Sequence, residues 1–362
     1  MPPAKKSSAR AARRTSARGL VVAVTGPTGE IGRSFVSLLD RSPQVASIRG
    51  MARSPFDTAA HGWTKVDYHQ GDILDRAAVE HLVAGADVVV HLAFIVLAAG
   101  ESSRGINLEG SRNVFEAAAA AKARRLVYTS SVAAYGFSDD LPELLTEDTP
   151  ALGFERHPYS AQKAEVEREL RDALAGSSTA AYVFRPCIVA GPDAPVLVNA
   201  IPFIHLGERL PGAVRELFDQ VSVLKPVLPD PGTPFQLVHH DDVAAALCAG
   251  VLGTGTPGVY NLAAEGTFTF SDLAHELGWY SIPVPDLTVD ATAEIVARLP
   301  FLPDEATWIQ ALRHPVLMDT TRARSELRWR PQHDTLQTLH ETVTAWRADL
   351  DATGPVRDLP SR

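Results

Sequence analysis

Apolar runs of four to eight residues alternate with amphipathic stretches along the first half of the chain. Val21 to Val24 is β-branched and uninterrupted, the pattern of a strand covered on both faces. Behind it Ile31, Phe35, Leu38 and Leu39 recur at helical spacing and predict a helix with these four on one face. Strands are then predicted at Val45–Met51, at a short stretch from Val66, at Asp87–Phe94, at Arg125–Ser131 and at Ala180–Ile188. Helices fall between them at Arg76–Ala84, at the alanine-rich Asn107–Ala121 and in the segment opening at Tyr159. This alternation to about residue 190 predicts an α/β fold with a doubly wound parallel sheet.

Beyond residue 190 the pattern breaks into Pro-rich loops and irregular helices, with apolar stretches at Val196–Leu206 and Leu217–Leu228. Residues 191–350 are expected to form a smaller C-terminal substrate-binding region, with 235–262 returning to the sheet through strands at Phe235–His239 and Val259–Leu262. Residues 1–18 carry Lys5, Lys6, Arg10, Arg13, Arg14 and Arg18 without an acid or an apolar core, and 351–362 form a short C-terminal tail. The first is expected to be a disordered basic tail; an organelle transit peptide shares its composition.

Between the first strand and helix lies Gly26-Pro-Thr28-Gly29-Glu30-Ile31-Gly32. Gly26 permits a sharp turn, Gly29 permits close approach of a pyrophosphate to the main chain, and Gly32 permits tight packing of helix on strand. The helix N-terminus then faces the phosphates, and a dinucleotide is the predicted cofactor. In such folds an acid about 20 residues beyond the glycines holds the ribose 2′-hydroxyl. This chain has Arg53 there, and a guanidinium pairs with a 2′-phosphate and stacks on adenine. NADP is therefore expected ahead of NAD. Asp72 is a candidate for the adenine amino group and equally for a helix N-cap. Leu92 and Ala93 are expected beside the cofactor at their strand's carboxyl end.

Tyr159 and Lys163 lie four apart at a helix start and share a face. A phenol, ordinarily near pKa ~10, is a poor base at neutral pH, and a nearby ammonium favours its ionised form. Tyr159 is the expected acid/base, with Ser131 orienting the substrate oxygen.

Composition and charge narrow the partners. The 362 residues are 45% hydrophobic and 21% charged, as in an ordinary globular protein, and the formal net charge of −9 argues against nucleic acid. The longest apolar run, Val88–Gly100, contains His91 and is too short to span a bilayer, so no membrane partner is expected. Cys187 and Cys248 match no metal or redox spacing, which suggests a reducing, cytoplasmic setting. His239 and His240 precede Asp241 and Asp242; neighbours on a strand point to opposite faces, so no metal site is expected, and one of the aspartates is expected to cap the next helix. Trp329 is expected to pack the C-terminal segment onto the body.

In this order the motifs resemble the extended short-chain dehydrogenase/reductases, the NAD-dependent epimerase/dehydratase family. The match comprises Thr25–Gly32, Gly71-Asp72, His91-Leu-Ala93, Asn107–Ser111, Ser130–Gly136 and Tyr159–Lys163. It continues through Arg185-Pro186, Asp241–Ala244, Tyr260-Asn-Leu262 and Leu327–Pro331, and covers roughly residues 19–350. The resemblance implies a Rossmann domain over 19–190 and a Ser131–Tyr159–Lys163 catalytic set. The cofactor contacts it implies are Gly26, Thr28, Gly29, Glu30, Ile31, Gly32, Arg53, Asp72, Ile73, Leu92, Ala93, Asn107, Tyr159, Lys163 and Pro186. Asn107 matches an asparagine that steadies the fold near the cofactor, and a homodimer is the family expectation. Phe94, Ser131, Tyr159 and Phe235 are the expected substrate contacts.

Sugar-nucleotide members carry a basic residue shortly before the Asp-Asp-Val; here Phe235 stands there, and Arg209, Arg215 and Lys225 are the remaining candidate phosphate ligands. The expected activity is therefore hydride transfer at a carbonyl or carbinol carbon of a mainly apolar small molecule. A nucleotide-sugar epimerase or dehydratase is the alternative, and a non-catalytic dinucleotide sensor the second.

Overall fold

A computed structural model describes residues 19–96, 101–138, 140–195, 198, 226–283 and 315–353. The basic tail, Arg209, Arg215, Lys225 and most of the apolar stretches at 196–206 and 217–228 lie outside them.

Seven parallel strands form the central sheet: β1 (Leu20–Thr25), β2 (Val45–Ala52), β3 (Val66–Gln70), β4 (Val88–His91), β5 (Arg125–Thr129), β7 (Ala180–Pro186) and β11 (Gly258–Leu262). A two-stranded ladder elsewhere uses β6 (Leu144–Leu145). The order β11-β7-β5-β4-β1-β2-β3 reverses between β1 and β4, and this switch point is where doubly wound sheets place ligands. Strand side chains alternate between two apolar layers. Val22, Val24, Val88, Val90 and Val127 meet α1 (Glu30–Asp40) and a later helix, α5 (His240–Leu252). Ala23, Val89, Leu126 and Tyr128 meet α2 (Arg76–Val83), α3 (Glu101–Ala120) and α4 (Pro158–Leu174). The uninterrupted valines of β1 and β4 thus reflect burial on both faces.

A third core belongs to the C-terminal part. There β8 (Ile188–Ala190) pairs with β10 (Leu237–His239), and β9 (Val227–Asp230) pairs with β12 (Tyr280–Pro283). α6 (Phe270–Glu276) and α8 (Thr335–Thr353) pack on them, while β13 (Leu317–Met318, the partner of β6) and α7 (Thr321–Glu326) add Met318 and Ala323 to the core under β11. Trp329 docks this part on the sheet side: its indole N–H donates to Asp242 O at 2.8 Å.

Several expectations need correction. Leu38 is 40% exposed. A Cβ on Gly32 would stand 2.3 Å from Gly26 O, so α1 is rotated to press Gly32, Val36 and Leu39 on the sheet, and Leu38 swings to the flank. Asp75, not Asp72, caps α2, accepting from Ala77 and Ala78 N–H; Asp72 instead accepts from Leu74 N–H at 3.0 Å. The alanine-rich helix begins at Glu101 rather than Asn107. The strand expected to Ile188 stops at Pro186, and Ile188 starts β8 in another sheet. In the Phe235–His239 stretch, Leu237–His239 pair with β8 and Phe235 bridges Phe268; among the described residues after β7, β11 is what rejoins the central sheet.

Phe235 is 6% exposed and packs on Phe268 and Phe270, at ring centroid distances of 5.8 and 5.5 Å. It is a core residue of the C-terminal part rather than an open substrate contact. Phe235→Arg should therefore lower unfolding stability by at least about 3 kcal/mol, the order expected for an unpaired buried charge. A change below about 1 kcal/mol in denaturant unfolding would show that the position opens to solvent.

Candidate active site

The carboxyl ends of β1, β4 and β5 and the start of α4 bring the predicted residues to one side of the sheet. Gly26 adopts φ +72°, and a Cβ there would meet Ala93 N at 2.7 Å. Its N–H donates to Met51 O at 2.9 Å, so the turn is threaded between the ends of β2 and β4. Gly29 caps α1 without any capping side chain, and the space on its Cα is open but for Gly26 O at 3.6 Å. The first-turn amides of an eleven-residue helix thus face a cradle that a Cβ would fill. These features fit a pyrophosphate. Thr28, Glu30 and Ile31 belong to the same turn.

Below the turn, His91 bridges Thr25 Oγ1 (2.7 Å from Nδ1) and Ser111 Oγ (2.9 Å from Nε2). Burial, with a lesser push from Lys163, lowers its pKa to about 3 and keeps it neutral. Asn107 is fully buried and holds the segment that carries Leu92, Ala93 and Phe94: its carboxamide bonds Ile95 N–H and O and Gln162 Oε1 at 2.8–3.0 Å. Ile73 is buried against Gly110, and Pro186 ends β7 in the interior. Arg53 is exposed just beyond the end of β2.

Ser131 opens a 3-10 turn over Val132–Tyr135 and hydrogen-bonds Tyr159. Burial pushes the Tyr159 hydroxyl up to about 12 while Ser131 opposes this, so the phenol is held protonated. Lys163 is 3% exposed; its Nζ donates to Thr129 O at 3.0 Å and lies 3.6 Å from the Phe94 ring centroid and 5.8 Å from that of Tyr159. Burial lowers its pKa to about 7, and the Glu167 carboxylate one helical turn on raises it. The site therefore holds a proton donor and a cation whose charge changes near neutrality. Tyr159 packs against the cluster of Ala133 and Phe137, on which Phe154 and Val316 also pack, and Phe94 stands edge-on to it at 5.8 Å.

Sequence reasoning missed what lies beneath. Ser130 points opposite to Ser131 and donates to Glu167 Oε1 at 2.6 Å. Arg185 meets Glu167 through Nε at 2.9 Å and Nη2 at 2.6 Å, and both are almost wholly buried. The Tyr135 ring covers the guanidinium at 4.4 Å and its hydroxyl donates to Asn261 Oδ1 at 2.7 Å. In the sequence, Arg185, Tyr135 and Asn261 stand out only as parts of the family motifs. A charged residue within a buried strand and an acid on the apolar side of α4 were the available signals.

His239 and His240 do not point to opposite faces; their ring centroids are 4.2 Å apart. The strand ends at His239 and α5 begins at His240, so strand alternation no longer holds. His239 itself caps α5, accepting from Asp241 N–H, and Asp241 and Asp242 sit in the first turn. His239, His240 and Asp241, and also His239, His333 and Glu341, offer ligand atoms within 4.8 Å of one another. The His239 and His333 rings are stacked at 3.9 Å and 21°. An ion in the plane of one ring then lies outside the plane of the other, and that geometry is unsuited to chelation.

A family model described as the NAD dependent epimerase/dehydratase family matches residues 22–263. Human 3 beta-hydroxysteroid dehydrogenase type 7 is 36% identical over 166 residues, 42% of this chain and 44% of that protein. The 2-alkyl-3-oxoalkanoate reductase of Shewanella oneidensis is 32% identical over 211 residues, 55% of this chain and 53% of the relative. The chain thus spans about half the length of these relatives. Among solved structures, dTDP-glucose 4,6-dehydratase from Streptomyces venezuelae, with NAD and TYD bound, superposes with a TM-score of 0.66 at 21% identity, covering 93% of this chain and all of that one. At this identity the likeness is one of fold.

The ion pair carries a measurable consequence. Arg185→Leu leaves the Glu167 carboxylate buried without its partner and should cost about 3–5 kcal/mol in denaturant unfolding. A loss below about 1 kcal/mol would place the pair in contact with water.

Proposed function

The chain belongs to the NAD dependent epimerase/dehydratase family, and we propose that it is an NAD(P)-dependent oxidoreductase acting on a carbonyl or carbinol carbon of a mainly apolar small molecule. The observation that carries this reading is the apolar collar at Tyr159: the ring packs on the cluster of Ala133 and Phe137, with Phe94 edge-on at 5.8 Å. Apolar walls with a few convergent polar groups suit an uncharged ketone or alcohol. The names of the human and Shewanella relatives support the same substrate chemistry. A bound reduced nicotinamide supplies a hydride to a carbonyl carbon.

Ser131 holds the substrate oxygen in place. Tyr159, protonated at neutral pH, donates its proton to that oxygen as the C=O bond opens. Lys163 stabilises the phenolate left behind and serves the nicotinamide ribose. Gly26, Gly29 and the start of α1 receive the pyrophosphate. Arg53 faces the adenosine end, where a guanidinium favours NADP over NAD. A cytoplasmic setting agrees with the two separated, unpaired cysteines, and among the described residues no helix is long and apolar enough to cross a membrane. The nucleotide-sugar epimerase or dehydratase reading rests on the solved dehydratase with its bound TYD.

Tyr159→Phe keeps the ring and removes the proton. Turnover of an apolar ketone should fall at least ~100-fold with cofactor affinity preserved; normal turnover would refute the assignment. Lys163 is a cation below about pH 7 and neutral above it. Hence kcat/KM for the cofactor, which reports the free enzyme, should decline as pH rises through that value, and Lys163→Met should flatten the decline. A wild-type profile level across neutrality would show that the charge on Lys163 is not used.

A further inference from the structure

Beyond the end of β2 the chain leaves the sheet, yet the arm that carries Arg53 is tied down. In the parallel register Gly50 lies opposite Tyr68 and Ala52 opposite Gln70. Residues two apart on a strand share a face, and both side chains reach past the last rung of the ladder. Gln70 Nε2 donates to Arg53 O at 2.8 Å. The Tyr68 hydroxyl donates to Ser54 O, with Ala52 O at 3.2 Å. The carbonyls of consecutive residues are thus held by two side chains of the neighbouring strand.

The arm is anchored at its other end as well. Phe56 packs on His61 at 4.7 Å, on Trp63 at 5.1 Å and on Tyr68 at 5.7 Å. Trp63 in turn donates through Nε1 to Ser37 Oγ of α1 at 2.9 Å. Gly50 joins the arm to the glycine-rich turn: a Cβ there would meet Pro27 Cγ at 3.1 Å and Tyr68 Cδ2 at 3.6 Å. Pro27 and the Tyr68 ring therefore flank one glycine.

We infer that Tyr68 and Gln70 are positioning residues for cofactor selection, fixing the Arg53–Ser54 backbone so that the Arg53 guanidinium stands ready for a 2′-phosphate. This rests on the NADP reading above. An exposed arginine loses rotamer freedom when immobilised, and a mobile backbone adds its own ordering cost. Holding the backbone beforehand removes that second cost from NADPH binding. NADH lacks the 2′-phosphate and offers Arg53 only its adenine, so it gains less from the arm.

The test combines amide hydrogen exchange of the free protein with NADPH and NADH titrations. It compares wild type, Tyr68→Phe/Gln70→Ala, Arg53→Ala and the triple variant. The pair variant should exchange about tenfold faster at Gly71, whose N–H donates to Ala52 O at the base of the arm, and at Trp63, whose N–H donates to Thr58 O beyond it. It should lower the NADPH-to-NADH affinity ratio about fivefold or more, with NADH affinity held. Adding Arg53→Ala to it should cost less than Arg53→Ala costs in wild type, because the two changes act on one interaction. A pair variant with unaltered exchange and ratio, beside an Arg53→Ala variant that lowers the ratio, would overturn the inference and leave the NADP reading intact. A wild type without NADPH preference, indifferent to Arg53→Ala, would defeat that reading and the inference with it.

Discussion

The buried pair of Glu167 and Arg185 is the constraint on which the geometry of the candidate site depends. Two charges out of water are costly unless each finds partners in good geometry. Glu167 meets the demand by receiving Arg185 twice and Ser130 once. Those partners lie on β7 and just past β5, while Glu167 lies on α4. The pair therefore fixes the helix against the sheet at the level where Ser131 leaves β5 and Tyr159 and Lys163 leave α4. The same carboxylate opposes the loss of charge that burial imposes on Lys163.

Burial acts in opposite directions on the proposed acid and the lysine beside it. It raises Tyr159 and lowers Lys163, because each is pushed towards its neutral form. A neutral phenol suits delivery of a proton to a carbonyl oxygen, and a lysine near its midpoint responds to any charge brought beside it. The apolar collar has the same physical origin, since aromatic walls that suit an uncharged substrate also desolvate the acid. On the cofactor side the logic is steric. Gly26 passes between two strand ends because nothing larger than hydrogen fits against Ala93.

The sheet was legible in the sequence because strands buried on both faces leave continuous apolar runs. The glycine turn was legible because its three glycines each answer a separate steric need. What escaped was whatever depended on partners distant in sequence. Leu38 has the right period but loses its place to the rotation forced by Gly32. Phe235 reads as a pocket residue until Phe268 and Phe270 close over it. The facing of His239 and His240 depended on the strand ending between them, and element ends are where periodicity is weakest. Glu167 was marked only by its place on the apolar side of α4; a lone acid on a helix is ordinarily solvated, and Ser130 with Arg185, 18 positions on, makes its burial tenable.

The most direct test of the account is isotopic. NADPH deuterated at nicotinamide C4 would be turned over with a panel of apolar ketones and, in parallel, with UDP- and dTDP-sugars, and the products read by mass spectrometry and NMR. The account predicts one deuterium at the new carbinol carbon of an apolar ketone, on a single face, with one NADPH consumed for each product formed. Turnover of a nucleotide sugar with no net consumption of NADPH, and no label transferred to any apolar ketone, would contradict it.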